Sequence, residues 1–576
     1  MTYPENFKNT LFVDILEALK IVEFEERPNT QEDFQKVANE DPHSEKLQNS
    51  EEVDCDDNDN SNVSNNSPIG HNSERLLNIS KSETNNVDKD IEYEYNCSDD
   101  TIATDPIDPF LVDWHGPDDP DNPHNWKPWK KYLMMAEIML LTCINYMGSS
   151  IYTPGEEEIQ REFHVGHVVA TLNLSMYVLG YGIGPMILSP LSEYARFGRL
   201  YIYLVTFFMF GLFQVGSATV KTIGGLVVIR FIAGVLCSPA LATGGASLSD
   251  FLSTTSMPYF LGLWSIGAIA APVLAPLLGA CMVVAKDWRW IFWFLLFLVA
   301  ALLLVLSFFF PETHAGNILH RRCKRLRKIT GDDRYYTAQY KKESTLEVNE
   351  FLKKCLLKPF RLIFQEPIIL AFDLYTAVAY GIFYLFFEAF PIVFVGIYNF
   401  TVIELGLAFL GFCVGCVFAY AIWVVFMWKY ISPKFANGTF VPENMVVLGM
   451  YLCMFLPLTL FFFGWTAKVH WILPIISELF FVIFTFNLFQ ITFSYLAIGF
   501  PAHVASVYAG NGFCRAALAS GFPLFGKAMY DNLGTKNYPV GWGSSLLGFI
   551  SVALAVIPFV IYKYGAYLRS RSSFTA

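Results

Sequence analysis

Twelve apolar runs, each near the ~20 residues a helix needs to cross a bilayer, constrain this chain more than any other feature. They fall at about 132–152, 167–189, 200–218, 224–244, 258–281 and 289–310, and again at about 367–390, 403–427, 445–463, 471–497, 503–526 and 541–563. In hydrocarbon the backbone must satisfy its own hydrogen bonds, so such runs read as helices. The pattern predicts an all-α polytopic membrane protein with two six-helix bundles, 129–310 and 367–563, and a hydrophilic loop at 311–366. Composition agrees: 53% of residues are hydrophobic and 16% charged, against about 25% charged in a soluble domain.

The polar remainder is unevenly placed. Residues 1–128 are expected to be a disordered acidic tail, because Asn, Ser, Asp and Glu fill the stretch from Arg27 to Asp105 and leave too little apolar surface to fold. Only Leu11 to Phe24 has helical amphipathic character. The net charge of −12 comes largely from this tail, whereas the central loop is basic. No basic patch is interleaved with exposed aromatics, which excludes nucleic acid as a partner. The polar start lacks the basic and short apolar regions of a cleavable signal, so the first span is expected to direct insertion. The eleven cysteines are scattered and suggest neither a disulfide framework nor a metal site. Cys413 and Cys416 are expected to pack as small residues on one helix face.

Lysine and arginine set the orientation. Arg196 and Arg199 follow span 2, Arg321 to Lys328 mark the central loop, Lys429 and Lys434 follow span 8, and Arg569 and Arg571 lie in the tail at 564–576. With twelve spans these fall on one side, opposite Glu156-Glu157-Glu158, so both termini and the central loop are expected in the cytoplasm. Sequons at Asn62, Asn78 and Asn96 lie in the cytoplasmic tail and should stay unmodified.

Ionisable groups within spans are costly and therefore functional candidates. Arg230 lies in span 4 and keeps its charge, so it needs water, a carboxylate or the bundle interior. Glu137 lies about one turn into span 1, close enough to the interface to snorkel. Asp373 and Glu388 lie near opposite ends of span 7, Glu478 in span 10, and Arg515 in span 11. A buried carboxylate that loads and releases a proton near neutral pH suits an ion-coupled carrier; spacing leaves Asp373, Glu388 and Glu478 equivalent. Glu193, Arg196, Gly198 and Arg199 crowd a short turn after span 2, which suggests a charge relay that holds one conformation. In span 5, Gly267, Pro272, Pro276 and Gly279 combine small residues at helical spacing with two helix-bending prolines. Asn145, Asn173, Gln214, Asn487 and Gln490 are candidates for lining a cavity, as are Phe and Tyr residues of spans 7, 8 and 10.

At these segments the chain resembles the major facilitator superfamily, and within it the fungal drug–proton antiporters with twelve spans. The turn after span 2 looks like the superfamily's signature loop, with Glu193 where Asp is more usual. Arg230 matches the span-4 motif, and span 5 matches the antiporter motif except that Ala271 and Ala275 replace glycines. The Asn-Pro-x-Asn-Trp approach to span 1, Tyr146 to Gly155, Pro311-Glu312-Thr313 and Arg325 to Asp333 narrow the similarity to yeast plasma-membrane azole exporters. The resemblance implies proton-driven efflux of azoles, benomyl-like compounds and other xenobiotics, by a protein that is not an enzyme. It implies no cofactor and no metal; the partners would be drugs, protons and the bilayer, with the chain a monomer. No nucleotide-binding motif is present, so an ion gradient is the expected energy source. Two alternatives stay open: a carrier for a physiological organic cation such as a polyamine, which would need two or more cavity-facing acids, and a non-transporting membrane sensor.

Overall fold

The computed structural model describes residues 6–22, 24, 26–29, 108–253, 256–344, 348–500, 503–572 and 574. Asn62, Asn78, Asn96 and most of the acidic stretch lie outside the described residues. Twelve long helices appear at the expected places: α1 Pro128–Ser150, α2 His167–Ser192, α3 Gly198–Thr219, α4 Ile223–Ser249, α5 Met257–Ala285 and α6 Arg289–Phe309, then α7 Pro367–Val395, α8 Val402–Ala436, α9 Pro442–Thr466, α10 Ile472–Gly499, α11 Val504–Leu533 and α12 Gly541–Ser570. Eleven of these are both long and apolar enough to cross a membrane. The exception, α11, has the length, at 30 residues, but carries Asn511, Arg515 and Lys527. It packs between α2 and α7, where such groups meet protein instead of lipid.

The packing repeats after six helices. In the first bundle α1 packs on α5, α2 on α4, and α3 on α6; in the second, α7 packs on α11, α8 on α10, and α9 on α12. The bundles meet through the related pairs α2–α11 and α5–α8. Close approach explains the glycines at these seams: a Cβ on Gly182 of α2 would stand 2.3 Å from the Ala516 Cβ of α11, and one on Gly406 of α8 would stand 2.7 Å from the Leu277 Cα of α5. The outward faces carry exposed Leu304, Val417 and Leu458, the side a bilayer covers.

Prolines inside helices remove the N–H that would serve the carbonyl four residues earlier. Pro239 frees the Val235 carbonyl, and the Ser238 hydroxyl donates to it at 2.7 Å. Pro276 frees the Pro272 carbonyl, which accepts instead from the Ser150 hydroxyl of α1. The second repair crosses between helices, so it ties the bend of α5 to α1.

Within residues 1–128, the described residues 6–22, 24, 26–29 and 108–127 hold defined contacts. Thr10 caps a helix at Leu11–Ala18, shorter than the amphipathic stretch. Described residues of the N-terminal segment, among them Asp14, Glu26, Asp119 and Asp121, contact the central loop, whose helix Ala315–Thr330 carries the basic residues. Arg321 pairs with Asp14 at 2.8 Å, Arg322 with Asp119 at 2.8 Å and Asp121 at 2.9 Å, and Arg325 with Glu26 at 2.9 Å. The acidic and basic segments thus neutralise one another. Burial alone would raise the Asp121 carboxyl, but the Lys8 ammonium and the Arg322 guanidinium outweigh it and hold the group at about 2.

Candidate functional site

A cavity of about 280 Å³ lies between the bundles. Its walls are mainly apolar and rich in aromatic rings, among them Tyr146, Tyr181, Trp264, Tyr380 and Phe489. Toward the face that bears the central loop it runs between Ser189 of α2 and Glu193 just after it on one side, and Val504 and Tyr508 of α11 on the other. Toward the opposite face, hydrogen bonds between the bundles close it. The hydroxyls of Tyr181 and Tyr380 lie 2.9 Å apart, Tyr384 donates to the Ser149 hydroxyl at 3.0 Å, and His167 Nε2 lies 2.9 Å from Glu388.

Arg515 supplies a cation at the wall, with its guanidinium 5.3 Å from the Tyr380 ring, 5.0 Å from Phe489 and 5.4 Å from Phe493. Such contacts contribute about 0.5–2 kcal/mol each according to desolvation. Thr485 and Phe481 of α10 and Phe383 of α7 also line the space, whereas no Phe or Tyr of span 8 is among its lining residues. Asn145, Gln214, Asn487 and Gln490 do not line it. Asn487 turns to the Ala419 carbonyl of α8, and Gln214 bonds the Phe210 carbonyl of its own helix. Asn173 likewise stays within the first bundle and donates to Tyr152 and to the Ala170 carbonyl.

Arg230 is fully buried. No carboxylate pairs with it among the described residues; it donates to the main-chain carbonyls of Ser149 at 3.1 Å and Asn173 at 3.3 Å. Its guanidinium lies 4.4 Å from the Tyr177 ring centre. Of the three settings open to it, water, a carboxylate or the bundle interior, Arg230 occupies the interior, where two carbonyl dipoles and an aromatic face surround it.

The four acids occupy different surroundings. Glu137 is 2% exposed, so it does not snorkel. Asp373 accepts from the Asn511 amide of α11 at 2.8 Å. Glu478 sits against α8, where a Cβ on Gly411 would meet its carboxylate at 2.6 Å. Glu388 alone reaches across the bundle seam, to His167. None of Asp373, Glu388 and Glu478 lines the cavity, so the feature required of an organic-cation carrier is missing there.

In the turn after α2 the charge pair extends beyond the four residues singled out there. Arg199 pairs with Asp250 at the end of α4, Nε at 2.7 Å and Nη2 at 3.1 Å, and not with Glu193. Arg196 is exposed, and Glu193 faces the cavity. Burial pushes the Asp250 carboxyl up to about 6 against the pull of Arg199. Burial also raises the Glu193 carboxyl. Glu312 caps α3 and accepts from the N–H groups of Arg199 at 3.0 Å and Leu200 at 3.1 Å. Gly198 has φ of +68°, and a Cβ there would stand 2.3 Å from Glu312 Oε2, so the turn needs glycine. The sequence signal for Asp250 was an acid some six residues past a span; nothing local distinguished it from Glu193.

The small residues of α5 face α1. A Cβ on Gly267 would lie 3.0 Å from Met139 Cγ, and one on Gly279 would lie 2.3 Å from the Ile151 carbonyl oxygen. Ala271 and Ala275 are buried, so methyl groups fit at those two turns.

Residues 138–520 match the profile of the Major Facilitator Superfamily. The chain belongs to that superfamily. It is therefore a transporter and not an enzyme. Curated superfamily relatives include fluconazole resistance protein 1 of Saccharomyces cerevisiae, 64% identical over 81% of this chain and 85% of that protein. The multidrug transporter FLR2 of Candida glabrata is 62% identical over 84% of this chain and 82% of its own length. The multidrug transporter FLR1 of the same yeast is 56% identical across 100% of both chains. The fold is similar to that of the xylose transporter XylE of E. coli in a partially occluded inward-open conformation, with a TM-score of 0.52, 15% identity, and coverage of 75% of this chain and 99% of that one.

Proposed function

We propose that this superfamily member exports azoles, benomyl-like compounds and other xenobiotics across the plasma membrane in exchange for protons, with both termini cytoplasmic. The observation that carries the proposal is the aromatic cavity, which extends toward the loop face and is closed at the opposite face by bonds between the bundles. With the basic loop in the cytoplasm, this is an inward-facing state ready to take compounds from the cell. Rocking of one bundle against the other would present the cavity outside. The names of the yeast relatives support drug resistance as the outcome. Proton coupling is drawn from the antiporter motif of α5, the buried acids and the lack of a nucleotide-binding motif.

The test is the accumulation of several labelled compounds in cells with and without the protein, with and without a protonophore at constant ATP. Export should lower accumulation and should collapse with the gradient. Export that persists after the gradient is dissipated would overturn the exchange mechanism; no difference in accumulation would overturn efflux.

A further inference from the structure

The His167 cluster joins the bundles in a way that apolar packing does not explain. His167 opens α2, and each of its ring nitrogens faces a carboxylate. Glu156 Oε1 lies 2.9 Å from Nδ1, and Glu388 Oε2 lies 2.9 Å from Nε2. Glu156 begins the short helix Glu156–Phe163 that links α1 to α2 and so moves with the first bundle; Glu388 is carried by α7 of the second. The Thr171 hydroxyl donates to Glu156 Oε1 at 2.8 Å, and Gln160 Nε2 stands 3.5 Å from Nδ1. The other titratable groups facing the cluster are Lys527 of α11, near Glu388, and the Tyr152 hydroxyl at the α1 end, near both carboxylates.

Counting protons gives the arrangement its meaning. A neutral imidazole donates from one nitrogen and accepts at the other, whereas an ionised carboxylate only accepts. With both acids ionised, one nitrogen of a neutral ring would set its lone pair against a carboxylate oxygen at 2.9 Å, which is repulsive. The closed cluster therefore holds one proton more than a neutral His167 beside two ionised acids. That proton sits on the ring or on one carboxyl, and the count is the same either way. When the bundles part at this face, Glu388 leaves with α7, water solvates both partners, and the requirement ends.

We infer that His167 is a proton-dependent tie: the outer face closes when the Glu156–His167–Glu388 cluster takes up one proton from the external side, and reopens when that proton returns there. This inference rests on the alternating-access reading and orientation above. It makes His167 a positioning residue for the cycle, separate from the group that carries the exchanged proton. External acidity would then favour the inward-facing state, in which the cavity is open to cytoplasmic drug.

The test uses the full-length protein in lipid nanodiscs without drug or gradient. Spin labels are placed by Lys221→Cys and Lys468→Cys, exposed sites in the α3–α4 and α9–α10 turns. Distances are read by electron–electron resonance as pH rises from about 5 to about 9, a range that brackets the ordinary imidazole value near 6.5. The parent should show a short distance at low pH and a growing longer population as pH rises. Glu388→Gln supplies an amide donor, so a neutral ring suffices and the short distance should persist throughout. His167→Phe should give a mixture that does not respond to pH. A parent distribution indifferent to pH, or a Glu388→Gln variant that responds as the parent does, would overturn the tie. No drug or gradient enters this measurement, so its failure is distinct from failure of the efflux assay.

Discussion

Arg230 donates at 3.1 Å to the main-chain carbonyl of Ser149, whose own hydroxyl accepts from Tyr384 of the other bundle at 3.0 Å. One residue of α1 thus connects the buried cation of α4 to the closed seam. The Ser149 hydroxyl also donates to the Tyr146 carbonyl at 2.8 Å, which fixes its orientation toward Tyr384.

Replacing Arg230 tests whether this link is used in transport. Arg230→Ala releases the Ser149 and Asn173 carbonyls and leaves a void among the rings. Hydrogen bonds to charged groups contribute about 1.5–3 kcal/mol, so the Ala variant should lose export roughly 10- to 100-fold. Arg230→Lys keeps a charge but not the planar fork and should retain part of the activity. Drug binding to purified protein should fall less than proton-driven uptake into inverted vesicles, both at matched abundance. Uptake at the parent rate in the Ala variant would make Arg230 purely structural.

The α5 stripe predicts an order of sensitivity. At Gly279 an added methyl meets backbone, which cannot step aside; at Gly267 it meets the flexible Met139 side chain. Gly279→Ala should therefore destabilise more than Gly267→Ala, by about 1–3 kcal/mol of overpacking. Gly267→Leu, too large for either adjustment, should abolish export while the protein still reaches the membrane. Thermal unfolding of purified protein and efflux at matched abundance measure both effects, and the reverse order would contradict the packing described.

Arg515 places a fixed positive charge at the cavity wall. At an effective dielectric constant of 20, two unit charges about 8 Å apart interact by about 2 kcal/mol. Arg515→Gln should thus raise apparent affinity for lipophilic cations by more than tenfold and change neutral azoles much less. Competition binding with one cationic and one neutral compound separates the two. An equal loss for both would assign Arg515 to wall packing.

The docked N-terminal segment should respond to acid. The Asp121 carboxyl is held at about 2 from an ordinary 3.8. A depressed carboxyl stabilises the docked form above its ordinary value, and that contribution fades as pH falls from about 4 toward about 2. Limited proteolysis should therefore spare residues 6–29 at neutral pH and cut them in acid. Arg322→Ala leaves the buried Asp119 carboxylate without its guanidinium, a loss of about 3–5 kcal/mol, and should expose the segment at neutral pH. Equal protection in parent and variant would show that the ion pairs do not hold it.

The twelve helices were legible in the sequence because hydrocarbon forces each crossing to satisfy its backbone alone; local composition therefore located them, α11 included. Arg230 and the α5 glycines stood out for the same reason, as residue types costly or unusual in such a setting. The partners were not legible. Helical periodicity says that a residue lies on some face of a span, not which neighbour that face meets. Asn487 turns to α8 and Gln214 to its own helix, while Tyr181 and Arg515 reach the cavity. Glu193 shares a turn with Arg199, yet the guanidinium pairs with Asp250, 51 positions away. His167 and Glu388 meet across 221 positions and two bundles. Sequence determined which segments enter the membrane, because transfer from water depends on local composition; only the tertiary structure decided the charge pairs, the cavity wall and the seam, because these depend on how each helix is rotated against its neighbours.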